Sequence, residues 1–429
     1  MKIERTLSIM LFLCALDISV KAQSPTQNYV LSKDVLDVDG THAITTVTYY
    51  DGLNRLEEST YAEGEDMSQN KNRYSENVLS YSANGSIERL QRYGKKNNGT
   101  FGLIDDLTYS YNGNQIKAIS DKAGSLLYNG SFDFKDGANA DVEYFYDANG
   151  ALVKDLNKGI SNIEYDVLGN MKCITFSNGF KTKYIYDAAG NKLRITHESV
   201  VTNTTDYIGN FVLEDGKLSK YLFDGGYCSF DNNQNPSFHY YEKDHLGSVR
   251  MVVNENGTIE QVNHYYPFGG VYGDLSYKGE LQRNKYIGKE FDHMYGLDWY
   301  DHGARMYDAA RVVWDRIDNL GEKNSDISPY LYCHDNAINK FDPDGNDDYF
   351  SNSGQFLFSK GDSPNIYVAN GNNGFVNFNT LDLRRKNDLN TGVRIVGYYA
   401  RKAGVKYNVN GGRGYVGIST LHRTDNQMY

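Results

Sequence analysis

Three punctuations of one kind stand close together in this 429-residue chain: Tyr146-Asp147-Ala148-Asn149-Gly150, Tyr165-Asp166-Val167-Leu168-Gly169 and Tyr186-Asp187-Ala188-Ala189-Gly190. Their tyrosines are 19 and 21 residues apart, and looser copies begin at Tyr50, Tyr81 and Tyr111. Between them the residues alternate, as in Thr182-Lys183-Tyr184-Ile185-Tyr186 and Lys192-Leu193-Arg194-Ile195-Thr196. The pattern predicts hairpins: a strand ends at Tyr, Asp accepts backbone hydrogen bonds in the turn, and Gly supplies the positive φ. A hairpin of about 20 residues cannot bury its own apolar face, so it must stack beside its neighbours. The expected fold is all-β: antiparallel hairpins joined into a long curved ribbon. The repeated aspartates are turn formers in this reading, not catalysts.

Composition supports that class. With 37 Tyr, 42 Gly and 6 Pro, and 14% aromatic residues, the chain is too aromatic for wholesale disorder. It lacks the Ala, Leu, Glu and Lys richness of a helical bundle and has β-branched and aromatic runs instead. A net charge of −11 argues against the whole protein binding nucleic acid. At the N-terminus, Lys2 and Arg5 precede an apolar run over residues 7–16, and Val20-Lys21-Ala22 offers small residues before Gln23. This reads as a secretory signal peptide over 1–22, which predicts export. No later run reaches membrane-spanning length. Beyond it, Cys173, Cys228 and Cys333 are odd in number and widely spaced, which suits small buried hydrophobes better than a disulfide framework or a metal site.

The Tyr-Asp repeats resemble those of the RHS/YD-repeat proteins. The resemblance sharpens at Tyr240-Tyr241-Glu242-Lys243-Asp244-His245-Leu246-Gly247-Ser248-Val249-Arg250, then Tyr265-Tyr266-Pro267-Phe268-Gly269 and Tyr286-Ile287-Gly288-Lys289-Glu290. It continues through Gly296-Leu297-Asp298-Trp299-Tyr300-Asp301-His302-Gly303-Ala304-Arg305-Met306-Tyr307-Asp308 to Ser328-Pro329-Tyr330-Leu331-Tyr332-Cys333. This ordered series is similar to the RHS repeat-associated core, and it closes at Asp342-Pro343-Asp344-Gly345. The expected organisation is a signal peptide over 1–22, a YD-repeat region over 23–239, the core over 240–346 and a variable tip over 347–429.

The resemblance implies chemistry at the end of the core. In the family two aspartates of paired Asp-Pro motifs carry an aspartyl-type self-cleavage just after the second motif. Here the second motif is intact at Asp342, and the first falls on Asp318, followed by Asn319 where the family has Pro. Asp318 and Asp342 are the expected catalytic pair and Asn346 the expected cleavage site, with Arg316, Pro343 and Gly345 in support. Two neighbouring carboxylates cannot both ionise, so one serves as acid while the other activates water. Arg316 would bias which stays ionised. No cofactor is implied, and no His-x-x-x-His or Cys-x-x-Cys spacing supports a metal.

The tip has its own character. Residues 347–429 carry ten Lys and Arg against six Asp and no Glu, a net charge of +4, which leaves −15 on residues 1–346. Such a break beside the expected cleavage point suggests a separate module. Short strands are expected at Tyr349-Phe350, Phe356-Leu357-Phe358 and Phe375-Val376-Asn377-Phe378, with a helix over 393–403. A hairpin should close at Asn410-Gly411-Gly412, giving a small α+β tail. Arg384, Arg385 and Lys386 suggest phosphate, hence nucleic acid, for the tail. The leading expectation is a secreted carrier that presents, and releases by self-cleavage, its tip against other cells. Its partners would be a target-cell surface or glycan and an immunity protein for the tail. The alternative is a non-enzymatic surface adhesion or scaffold protein that keeps its tail.

Overall fold

The structure is a computed structural model. It describes residues 20–24, 27–34, 44–64, 68–124, 126, 132–223, 225–271, 282–319, 321–324, 327–342 and 345, with segments 349–350, 367–369, 375–377, 406–412 and 415–422. The chain divides into two units, Met1–Ala337 and Ile338–Tyr429.

In the first unit every strand of the large sheets pairs antiparallel with its sequence neighbours. Eight strands, β1 (Val20–Ser24) to β8 (Gln115–Asp121), form one sheet, and thirteen, β9 (Tyr144–Tyr146) to β21 (Ile259–Val262), form another. The expected ribbon is therefore interrupted once, between β8 and β9. There the chain leaves the ladder over residues 132–143 because its polar groups find side chains instead: Phe134 N–H donates to Asp105 Oδ1 at 2.9 Å, and Glu143 Oε2 accepts from Ile119 N–H at 3.0 Å. β1 also runs across the Ala22–Gln23 junction, where the sequence places signal cleavage.

The turns form as the repeat predicts. Asp166 Oδ1 accepts from Leu168 and Asn170 N–H at 2.9 and 2.8 Å, and Gly169 takes φ +84°. Asp147 and Asp187 do the same, and Gly150 and Gly190 take φ +78° and +81°. The repeat also explains its tyrosines. Tyr81, Tyr111, Tyr165 and Tyr265 donate their hydroxyls to the carbonyls of Leu56, Ile87, Leu152 and Val249, at 2.5, 2.6, 2.7 and 2.8 Å. Each acceptor opens a strand that leaves an earlier turn on the same edge of the sheet, so these four tyrosines tie successive turns of that edge together. Phenylalanine would fill the same space without the stitch. Tyr165→Phe is expected to cost about 1 kcal/mol in urea unfolding, the usual net worth of one buried hydrogen bond.

Beyond β21 the core motifs form short elements: β22 (Glu290–Asp292), β23 (Trp299–Asp301), β24 (Met306–Asp308) and β25 (Val313–Trp314), paired in that order. Their buried rings pack together, with Tyr307 on Tyr332 at 3.9 Å and Trp314 against Tyr332 at 5.4 Å. Tyr300 and Tyr307 donate to the carbonyls of Gly269 and Phe268 at 2.9 and 2.8 Å, which ties the Tyr-Tyr-Pro-Phe-Gly turn to this cluster. Gly269 is required there: its φ is +92°, and a Cβ would meet the Tyr286 ring at 2.6 Å.

Buried charges join the core to both sheets. Arg92, on β6 (Ile87–Lys95), donates to Glu76 and Asp105 at 2.6 and 3.0 Å and to the carbonyls of Ala309 and Ala310 at 3.0 and 3.1 Å. Arg311 donates to Asp308 at 2.7 Å and stands over the rings of Tyr144 and Trp299. Cys173, Cys228 and Cys333 form no disulfide among the described residues and are all buried, as small hydrophobes would be. Among the described residues no helix is long and apolar enough to cross a membrane.

In the second unit, β26 (Tyr349–Phe350) pairs with β27 (Tyr367–Ala369), and β27 with β28 (Phe375–Asn377). β29 (Lys406–Gly412) and β30 (Tyr415–His422) make the closing hairpin. Gly412 pairs with Tyr415, so the strand runs through Asn410-Gly411-Gly412, where the sequence suggested the turn. The expected strand at 356–358 and helix at 393–403 lie outside the described residues.

Candidate functional site

The expected catalytic residues divide between the two units. Asp318 follows β25 in a turn that its own backbone defines: its N–H donates to the Pro329 carbonyl at 3.0 Å, and its carbonyl accepts from Gly321 N–H at 3.0 Å. Its partly buried carboxylate accepts from Arg305 Nη2 at 3.2 Å. Arg305 is itself buried, with its guanidinium 4.3 Å above the Trp314 ring. Packing on that ring aims the guanidinium and keeps it out of water.

Arg316 is engaged elsewhere. Its Nε lies 3.4 Å from Asp315 Oδ2, and its guanidinium stands 5.1 Å over the Tyr165 ring. Burial, the largest influence, opposes its charge, and Asp315 together with Tyr165 and Tyr186 more than offsets it. The arginine bonded to Asp318 is thus Arg305, thirteen residues upstream, and sequence proximity had pointed to Arg316. Asn319, in the place of the family's Pro, is exposed.

Asp342 belongs to the second unit and is buried. Its Oδ1 accepts the Gly345 N–H at 2.6 Å, and Gly345 takes φ +80°. An Asp side chain closing its own turn onto a Gly amide is what the Asp-Pro-Asp-Gly string favours. That bond also gives one carboxylate oxygen a fixed donor. Pro343 and Asn346 lie outside the described residues. Two differently furnished carboxylates are therefore present, one held by a guanidinium and one by a backbone amide.

His264 and His302, the buried histidines of the core motifs, supply no alternative centre. Burial holds His264 down at about 3, so it is a neutral core residue. His302 sits edge-on to Trp314 at 4.8 Å within the aromatic cluster. Among the described residues no cluster of three His, Cys, Asp or Glu could hold a metal ion.

Comparison with known proteins adds two matches. Residues 27–330 match the Teneurin YD-shell family, and residues 348–429 match the Metallopeptidase toxin 2 family. The chain is 27% identical over 231 residues to Salivary gland surface protein 1 of Aedes aegypti, covering 47% of this chain and 6% of that protein. It is 28% identical over 262 residues to the tRNA3(Ser)-specific nuclease WapA of Bacillus spizizenii, covering 57% of this chain and 11% of that protein. The crystal structure of TcdB2-TccC3 is similar at 17% identity and a TM-score of 0.48, covering 75% of this chain and 19% of that one. The chain thus spans between 6% and 11% of the length of these curated relatives.

A metallopeptidase match implies zinc, and the donors do not fit it. A catalytic zinc takes three protein ligands, most often two His of a His-Glu-x-x-His helix and a third residue. Residues 348–429 contain one histidine, His422, and no glutamate or cysteine. His422 ends β30 at the register position opposite Lys406, a cation across the ladder. No metal-dependent step is assigned to this segment.

Proposed function

The chain belongs to the Teneurin YD-shell family, and from that premise we propose that its Asp318 and Asp342 cleave the chain near Asn346 and free a toxin-family tip in contact with other cells. A YD shell followed directly by a toxin-family segment is the layout of an RHS-type toxin carrier. The observation that carries the finer reading is where the two matches meet. One ends at residue 330 and the other starts at 348, and between them stands the Asp-Pro-Asp-Gly turn whose Asp342 carboxylate is already bonded to a backbone amide.

In this reading Asp318, bonded to Arg305, is the carboxylate that activates water, and Asp342 is the acid that protonates the leaving amine. Gly345, through its amide on Asp342, closes the turn beside the bond, Pro343 is assigned to support it, and Arg316 supports the Asp318 loop through Asp315. The +4 tip and the acidic shell attract each other until the bond is cut. The shell would be exported or held at the cell surface, meeting a target-cell surface or glycan, and an immunity protein would protect the producer from the tip.

Intact mass spectrometry of the chain beside Asp318→Asn and Asp342→Asn tests this. Two fragments with a new N-terminus near residue 347 are expected, and a single uncut chain in both variants. An uncut native chain removes the cleavage claim. It would favour a second reading, a non-enzymatic adhesion or scaffold protein that keeps its tail, which the exposed Asn319 already recommends.

A further inference from the structure

The last strands of the thirteen-stranded sheet bring together residues that no turn or core motif explains. They are β17 (Lys217–Phe223), β18 (Gly226–Phe230), β19 (Pro236–Lys243), β20 (Val249–Asn254) and β21. Lys220 lies directly across from Ser229, Ser229 from Ser237, and Tyr227 from His239. Residues opposite one another, or two apart on a strand, share a face, so Lys220, Tyr227, Ser229 and His239 stand on the same one.

Glu260 joins them through an irregularity. Val252 pairs with Gln261 but Val253 with Ile259, so the register shifts and Glu260 has no partner across the ladder. A bulge of this kind re-aims its side chain. The Glu260 carboxylate meets His239 Nδ1 at 2.5 Å, and His239 Nε2 lies 2.8 Å from Ser229 Oγ. Asn254 Nδ2 donates to the other Glu260 oxygen at 3.2 Å, and the Tyr227 ring stacks on the imidazole at 4.4 Å with 9° between the planes. The ring is therefore fixed in position and in rotation.

Hydrogen placement follows from the acceptor. An ionised carboxylate can only accept, so Nδ1 of the neutral ring carries the hydrogen and Nε2 takes the bond from the Ser229 hydroxyl. That is a nucleophile bonded to a base which is oriented by a carboxylate. Ser229 is only partly buried, so a substrate can reach it. Lys220 adds a cation on the same face, its Nζ 5.6 Å from the centre of the Tyr227 ring, with burial holding it below the usual lysine range.

We propose that Ser229, His239 and Glu260 form an acyl-transfer site that hydrolyses carboxylic esters. Ser229 Oγ bonds to the ester carbonyl carbon while its proton passes to His239 Nε2. The tetrahedral adduct, its oxyanion facing the Lys220 charge, then expels the alcohol, which leaves with that proton. Water, deprotonated by His239, releases the carboxylic acid and restores Ser229. Ser229 and His239 are the catalytic residues, and Glu260 is a positioning residue that fixes the tautomer.

The test is labelling of the full chain by a fluorophosphonate probe, with the modified residue located by peptide mass spectrometry. Phosphonylation of Ser229 is expected, absent in Ser229→Ala and retained in Ser237→Ala. The labelling rate should fall about 100-fold in His239→Gln, the usual worth of a general base. Glu260→Gln should slow it at least tenfold, and Glu260→Asp should recover part of that loss with the circular dichroism unchanged. No label on Ser229 of the folded native chain overturns the proposal. So does a rate that His239→Gln leaves unchanged, because the hydrogen-bond chain is then a structural ladder. The result is independent of cleavage near Asn346.

Discussion

Arg92→Met is expected to destabilise the first unit by about 3–5 kcal/mol, the cost of leaving buried charges without their partner. The side chain is fully buried, and its fork reaches two carboxylates, those of Glu76 and Asp105, and two carbonyls of the 308–311 turn. Methionine fills most of the volume and removes every donor. Glu76 then keeps only the Phe268 N–H at 3.0 Å, and Asp105 keeps Phe134 N–H. Against a total stability of about 5–15 kcal/mol this is a large fraction, readable as a fall in the guanidinium midpoint. A triple variant, Arg92→Met with Glu76→Gln and Asp105→Asn, should lose less than the single one, because the stranded charges are gone. A single-variant cost under about 1 kcal/mol would mean that water reaches the pair.

The same arginine marks the limit of what the sequence could tell. Strand alternation places Leu90, Arg92 and Gly94 on the buried side of β6, but a basic residue on an alternating strand reads as surface until the core that covers it is known. Turns were legible because their causes are local: an Asp, a Gly and four residues of backbone. The tyrosine stitches were not, since the acceptor lies one hairpin back. Arg305 was missed at Asp318 for a related reason. The turn after β24 folds β25 back so that Arg305 and Asp318, thirteen residues apart, meet, whereas Arg316 points to its neighbour Asp315. Ser229, His239 and Glu260 come from three strands and depend on one bulge, which no spacing announces. The match of residues 348–429 to a metallopeptidase toxin family was not legible, because they lack the histidine and glutamate pattern by which a metallopeptidase is usually read.

Glu290 gives the shell a pH dependence on the acid side that one substitution can isolate. It stands where β22 meets the large sheet, accepting from Lys192 Nζ at 2.8 Å and from Tyr207 hydroxyl at 2.6 Å, with Arg283 at 3.6 Å. Burial alone pushes its carboxyl up, but Lys192, Tyr207 and Arg283 together outweigh burial and bring it down to about 2 from an ordinary 4.5. A folded value below the unfolded one means stability that is fully present above pH 4.5 and lost as the pH falls toward 2. That gap corresponds to about 3 kcal/mol. The whole-protein curve will not isolate it, because Asp105 runs the other way. Burial, the largest influence, exceeds the attraction of Arg92 and raises Asp105 to about 7 from 3.8, so its contribution is greatest in acid and is lost as the pH rises. The difference between native protein and Glu290→Gln cancels every other group. It should be about 2–3 kcal/mol at pH 6 and shrink to a few tenths near pH 2. The loss concentrates below pH 4.5 only if Lys192 and Tyr207 hold the ionised form. A difference that stays constant across this range would show that Glu290 stabilises the junction by shape alone.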